Sequence, residues 1–153
     1  MTDRQTQDKQ GREKSVVGNL SVLDLRRASD ESFTSISVIG NLGVVLYSRE
    51  TAHLLSRIGS VVGNLGRSIE ASPDAMVHAS DVQFVADYFG ANDSARDIVV
   101  AGRVVVSPDL SPEDIDRGLG QLIVTGDLIC PDHLSSQISA KTSQLGGQQV
   151  VYP

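Results

Sequence analysis

The hexapeptide Val38-Ile39-Gly40-Asn41-Leu42-Gly43 has two near-copies in this chain, Val16-Val17-Gly18-Asn19-Leu20-Ser21 and Val61-Val62-Gly63-Asn64-Leu65-Gly66. Their first glycines stand 22 and 23 residues apart. A short apolar word returning at that period marks a repeat architecture, because one strand and one return cannot close a core and must stack on a copy of themselves. Gly102 and Gly126 extend the register, so the repeated glycines read 18, 40, 63, 102 and 126. The 39-residue gap between Gly63 and Gly102 exceeds one unit and is expected to hold an irregular coil around residues 82–89.

Composition agrees with thin aliphatic layers. Hydrophobic residues make up 40% of the 153, aromatics only 4%, and Trp is absent. The strand-like segments are 15–25, 36–47, 60–71, 98–106, 121–129 and 148–152, all rich in Val, Ile and Leu. Helix-start signals fall between them. Ser48 precedes Arg49-Glu50-Thr51, with Ala52, Leu55 and Ile58 on one face, Leu54 adjacent to it and Gly59 as the stop. Ser72-Pro73-Asp74 opens a short helix over 73–80, and Ser107-Pro108-Asp109 repeats the signal. Ser111-Pro112-Glu113-Asp114 adds a capping box, and Cys130-Pro131-Asp132 takes the same slot. Residues 82–89 read as either a strand or a helical turn, and 135–145 as a polar, weakly helical return. Residues 26–35 form a polar loop with Phe33 as an inward plug, and residues 90–97 form another polar loop.

Returns that all travel the same way make successive strands parallel, and parallel strands covered on both faces read as continuous Val/Ile runs. The expected fold is therefore an α/β repeat, a right-handed parallel β-solenoid with short helical returns. It has about five to six coils with strands about 4.8 Å apart. Residues 15–153 form its single domain, behind a disordered polar tail at 1–14 that lacks the apolar residues to offset ordering entropy. Asn19, Asn41 and Asn64 share one slot and are expected to stack as a hydrogen-bonded ladder, interrupted where Arg103 and Asp127 hold the slot in later coils.

The Val-Ile-Gly-Asn-Leu strand with a return of this length is similar to leucine-rich repeats and receptor L-domains. The segment Leu122-Ile123-Val124-Thr125-Gly126-Asp127-Leu128-Ile129 resembles the turns of bactofilin-like polymer-forming β-solenoids. Val and Ile stand where the leucine-rich consensus has Leu. The resemblance spans residues 15–152 in architecture and implies a protein that binds partners or assembles.

Charge narrows the partners. The net charge is −6, and residues 1–14 hold four basic and three acidic side chains, leaving −7 on the rest. An acidic body has no electrostatic footprint for nucleic acid. It also disfavours an anionic membrane surface, and no apolar run reaches spanning length. One cysteine, Cys130, precludes an intrachain disulfide and fits a reducing compartment. The N-terminus is too polar for a signal peptide, so a cytoplasmic location is expected.

No catalytic constellation stands out, and no cofactor or metal is expected. Cys130 and His133 have Cys-x-x-His spacing, but the other histidines, His53 and His78, fall in different units, and a structural zinc site takes four ligands. Asp109, Glu113, Asp114 and Asp116, with His133, are the one acidic cluster that could serve a ligand, a cation or acid–base chemistry. Acids in a helix first turn are also expected on dipole grounds alone. The leading expectation is a non-enzymatic scaffold that binds itself or another protein. Repeat arrays expose strand edges at their ends. Here Val16 and Val17 begin the array, and Val150, Val151 and Tyr152 close it without a polar cap. These five residues are the expected assembly interface.

Overall fold

A computed structural model describes residues 15–31, 36–60, 62–89 and 94–153. The expected tail at 1–14, the plug Phe33 and the first part of the 90–97 loop lie outside these residues. The chain divides into two compact units, Met1–Pro73 and Asp74–Pro153.

The first unit holds one parallel sheet in the order β1 (Ser15–Asp24), β2 (Ile36–Tyr47), β3 (Val62–Glu70). The near-copies set its register: Asn19 faces Asn41, Asn41 faces Asn64, and Leu20, Leu42 and Leu65 form the adjoining row. A 3-10 helix, Arg49–Ser60, returns the chain from β2 to β3. A helix does begin after Ser48, but the Ser48 side chain is engaged elsewhere than in the expected cap: its hydroxyl donates to the Arg26 carbonyl at 2.9 Å, while its backbone N–H donates to Thr51 Oγ1 at 2.9 Å. Its buried side is Thr51, Leu54 and Ile58; Ala52 is exposed and Leu55 half-buried. Of the expected face Ile58 and the adjacent Leu54 are buried while Ala52 is not, because Leu54 packs with Leu25, Ile39, Leu42 and Val45.

The second unit holds two four-stranded parallel sheets, and every repeat gives one strand to each. One sheet is β4 (Met76–His78), β6 (Arg96–Val100), β8 (Leu119–Val124) and β10 (Thr142–Leu145). The other is β5 (Val82–Phe84), β7 (Val104–Val106), β9 (Leu128–Pro131) and β11 (Gln149–Tyr152). Three short helices, α1 (Ala86–Phe89), α2 (Pro112–Gly118) and α3 (Ser135–Lys141), lead from one repeat to the next. A 3-10 turn, Asp132–Leu134, precedes α3. Ile98, Val99 and Val100 are all buried, as are Leu122, Ile123 and Val124, which is what continuous Val/Ile runs in parallel strands predict. One aliphatic core runs through this unit, from Phe84 and Phe89 through Val100 and Leu122 to Leu134 and Ile138.

The single right-handed solenoid expected over residues 15–153 is not formed. The strands partition into three small parallel sheets, one in the first unit and two in the second. The error lies in treating five glycines as equivalent. Gly18, Gly40 and Gly63 sit inside long strands, whereas Gly102 and Gly126 sit at corners that split 98–106 into β6 and β7 and 119–131 into β8 and β9. Arg103 and Asp127 therefore belong to corners, not to the asparagine row. The helix expected over 73–80 is a turn followed by β4, and Ser107-Pro108-Asp109 is also only a turn, because the apolar residues after each signal are claimed by a sheet or by the core. Ser111 does start a helix: its hydroxyl accepts from the Asp114 N–H at 3.2 Å, and Asp114 Oδ2 accepts from the Ser111 N–H at 3.1 Å.

Candidate functional site

Three Asp–Gly contacts hold the repeats of the second unit in line. Asp81 Oδ1 accepts from the Arg103 N–H at 2.9 Å, Asp97 Oδ1 from the Gln121 N–H at 2.9 Å, and Asp127 Oδ1 from the Gln148 N–H at 3.0 Å. Each donor follows a glycine, and a Cβ on Gly102 would lie 2.7 Å from Asp81 Oδ1 while one on Gly120 would lie 2.5 Å from Asp97 Oδ1. The pattern is an aspartate answered, one repeat later, by glycine and one more residue. The sequence carries it, but reading for strands passed over it.

The two ends of this second unit differ. At the β4/β5 end, Phe84, Tyr88 and Phe89 form an aromatic cluster with ring centroids 4.8 to 5.3 Å apart. Tyr88 donates to Met76 Sδ at 3.4 Å, and His78 Nε2 lies 2.7 Å from the Tyr88 hydroxyl. Burial pushes the Tyr88 phenol above its ordinary pKa. Three of the chain's six Phe and Tyr side chains are spent closing this end. Among the described residues no aromatic cluster of this kind covers the β10/β11 end. Val150 and Val151 on β11 are 44% and 45% exposed.

Tyr152 has a different task from its neighbours. In these sheets the carbonyl of one strand takes an N–H from the residue after its partner, as Phe84 does from Ser107 at 2.8 Å. Extending the β7–β9 register places Pro131 where the Val106 carbonyl needs its donor, and proline has no N–H. The Tyr152 hydroxyl reaches across and donates to the Val106 oxygen at 2.7 Å. Tyr152 is therefore half-buried and already engaged, unlike Val150 and Val151.

In the first unit, β1 and β3 are the edges of a three-stranded sheet. Val16 and Val17 lie on β1, their backbone opposite Val38 and Ile39. Residues 63–68 of β3 are all exposed, and Leu65 is 41% exposed where its row-mate Leu42 is buried. The asparagines form the expected ladder: Asn41 Nδ2 donates to Asn19 Oδ1 at 2.6 Å and Asn64 Nδ2 to Asn41 Oδ1 at 2.8 Å. Sequence reading placed the assembly surface at the first and last strands and did not single out β3.

Of the acidic residues, Asp114 and Asp116 have partners within the fold. Asp114 closes its capping box and pairs with Arg117 at 2.9 Å; the backbone hydrogen bond from Ser111 holds its carboxyl below the ordinary value. Asp116 lies 4.0 Å from Lys141, whose ammonium donates to the Leu119 carbonyl. Asp109 sits exposed in the turn after Ser107, Glu113 is exposed in the first turn of α2, and His133 Nε2 lies 3.3 Å from the Leu110 carbonyl. Cys130 is buried in the core, where burial pushes its thiol pKa up. Among the described residues, no three His, Cys, Asp or Glu side chains are grouped to hold a metal ion.

No protein-family model, no curated protein and no solved structure matches this chain. Among the described residues no helix is long and apolar enough to cross a membrane.

Proposed function

We propose that the chain is a non-enzymatic scaffold protein that associates with further copies of itself through the open edges of its parallel sheets. One observation carries the reading. Among the described residues the exposed large hydrophobic side chains are Leu65, Val150 and Val151, and all three lie on outermost strands, β3 and β11. An outer strand presents unpaired N–H and carbonyl groups, and natural proteins blunt such edges with charge, proline or a covering element. Val150 and Val151 carry neither charge nor cover, and Pro153 removes one donor just beyond them. A cytoplasmic location belongs to the same reading, since the lone cysteine is buried and reduced.

Light scattering across a concentration series tests the proposal. The mean mass is expected to rise with concentration, and Val151→Lys is expected to lower it by placing a charge on the β11 edge. A monomer at every concentration, unchanged by Val151→Lys, would remove self-association and leave only a role with a different partner.

A further inference from the structure

The glycines inside the first sheet follow a directional rule. A Cβ on Gly63 would lie 2.7 Å from the Gly40 carbonyl oxygen, and a Cβ on Gly40 would lie 2.5 Å from the Gly18 carbonyl oxygen. Each glycine makes room for the carbonyl of the strand before it. Among the described residues no strand precedes β1 in the sheet, and nothing lies within 4 Å of a Cβ on Gly18. Glycine weakens a strand through backbone entropy and lost packing. Gly18 therefore carries that cost without the reason that applies at Gly40 and Gly63.

The asparagine ladder is open in the same sense. Among the described residues its two bonds leave the Asn19 amide N–H groups unused at the β1 edge and the Asn64 amide oxygen unused at the β3 edge. Turning all three amides around exchanges donor and acceptor but keeps the two ends complementary. The leucine row repeats the pattern, since Leu42, with a strand on each side, is buried while Leu65 at the edge is 41% exposed.

We infer that β3 of one copy pairs in parallel with β1 of the next, continuing the sheet across the contact. The inference rests on the self-association proposed above and adds the β3 and β1 edges to the β11 edge, so its variants are compared in the Val151→Lys background. Extending the observed register sets Asn64 opposite Asn19 of the next copy, Leu65 opposite Leu20, and the backbone of Val62 opposite Val17. Gly18 then makes room for the Gly63 carbonyl of its neighbour, as Gly40 does for Gly18 within one chain. The contact joins two different edges, so it is heterologous and grows as an open chain of copies instead of closing as a two-fold dimer. Ser21 limits its length. β2 and β3 hold Gly43 and Gly66 at that row, with a Cβ on Gly43 falling 2.8 Å from the Ser21 oxygen. The Ser21 Cβ presses on the incoming Gly66 carbonyl, so pairing is tight over the first half of β1 and looser beyond it.

The test uses sedimentation velocity on the full chain over a concentration series, with thermal melts of each variant. Wild type is expected to show a mean mass that climbs without a plateau. Gly18→Ala fills open space within the chain, so it is expected to leave the melting temperature unchanged or raised while weakening association at least tenfold. Asn19→Asp keeps the oxygen that accepts from Asn41 but removes the donor offered to Asn64, and is expected to weaken association to a similar degree. Ser21→Gly is expected to strengthen it. Association that survives Gly18→Ala and Asn19→Asp overturns this docking while leaving self-association standing, and a mass that plateaus at a dimer does the same. A wild type that stays monomeric overturns both. A Gly18→Ala monomer that melts lower than wild type places another part of the same chain over Gly18 and also overturns the docking.

Discussion

The two units build parallel sheets from repeats of nearly the same length and reach different solutions. In the first, Met1–Pro73, a repeat gives one long strand to one sheet, and small and polar rows run across it beside the leucine row: Gly18, Gly40 and Gly63, then Asn19, Asn41 and Asn64. In the second, Asp74–Pro153, a repeat turns a corner midway and gives a strand to each of two sheets, and the rows are aliphatic and buried. A second sheet supplies a second wall. Every apolar side chain of β6 and β8 can then be buried, while β3 is left with six consecutive exposed residues. Register in the second unit is secured by packing and by Asp–Gly contacts, and in the first by backbone fit and an amide ladder. The first sheet can accordingly accept another strand along its exposed β3 edge.

Paired truncations of leucine should expose that difference most strongly. Leu122 is fully buried on β8, and Leu122→Ala is expected to cost about 3 kcal/mol, within the range for core cavities. Leu65→Ala removes a side chain that is 41% exposed, and is expected to cost under about 0.5 kcal/mol in the monomer. Urea denaturation monitored by circular dichroism measures both. Equal losses would mean that β3 is covered and that the contrast between the units is false.

Gly40→Ala probes the close-packed backbone of the first sheet. The new Cβ would fall 2.5 Å from a carbonyl oxygen, so strands β1 and β2 must separate, at an expected cost of about 2 kcal/mol. Hydrogen exchange is expected to speed up for amides of β1 and β2 while those of β8 and β9 keep their protection. Loss of protection in both units together would show that they do not unfold independently.

Tyr152→Phe sharpens the view of the open end of the second unit. It keeps the ring and deletes the hydroxyl that supplies the Val106 carbonyl in place of Pro131. The expected loss is about 1 kcal/mol, read from the same denaturation curves. An unchanged midpoint would mean that water serves the carbonyl equally well.

What was legible in the sequence follows from this contrast. In the first unit three near-identical words specify strand, register and asparagine ladder, because a one-residue slip would misplace glycine and asparagine together. In the second unit the repeats share a pattern and no word. Apolar runs such as Ile98-Val99-Val100 and Val104-Val105-Val106 read as one strand, since a corner needs only Ala101, Gly102 and Arg103 to turn. Ser-Pro-Asp reads as a helix start whether or not the residues after it are free to form one, and only at Ser111 is the capping box completed. For the candidate site, the exposed Val150 and Val151 were legible as an apolar terminus. Tyr152 was not, because its role depends on a carbonyl two strands away that the intervening Pro131 leaves without a donor. The edge of β3 was not either, since nothing in Gly63-Asn64-Leu65 says that no fourth strand follows.

The smallest expected effect is electrostatic and separates the units by pH. Arg26 bonds the Asp24 carboxylate through Nε at 2.9 Å and Nη2 at 2.8 Å, while Nη1 donates to the Ser72 carbonyl at 2.8 Å, so one guanidinium ties the end of β1 to the segment after β3. The side-chain hydrogen bond from Arg26 is the main reason the Asp24 carboxyl is held below its ordinary value, against an opposing contribution from burial. A carboxyl whose pKa is lower folded than unfolded binds fewer protons when folded. Its contribution to stability is full above the unfolded value, near pH 4, and is lost as pH falls through the lower folded value. Asp24 is partly solvated, so screening keeps the contribution small. The expected outcome is that Asp24→Asn slightly lowers the stability of the first unit at pH 7 and flattens its loss below pH 4, with no change in protection of β8. Hydrogen exchange at pH 7 and pH 3 on wild type and variant measures it. An equal acid response in the two proteins would assign the sensitivity of this unit to other carboxylates.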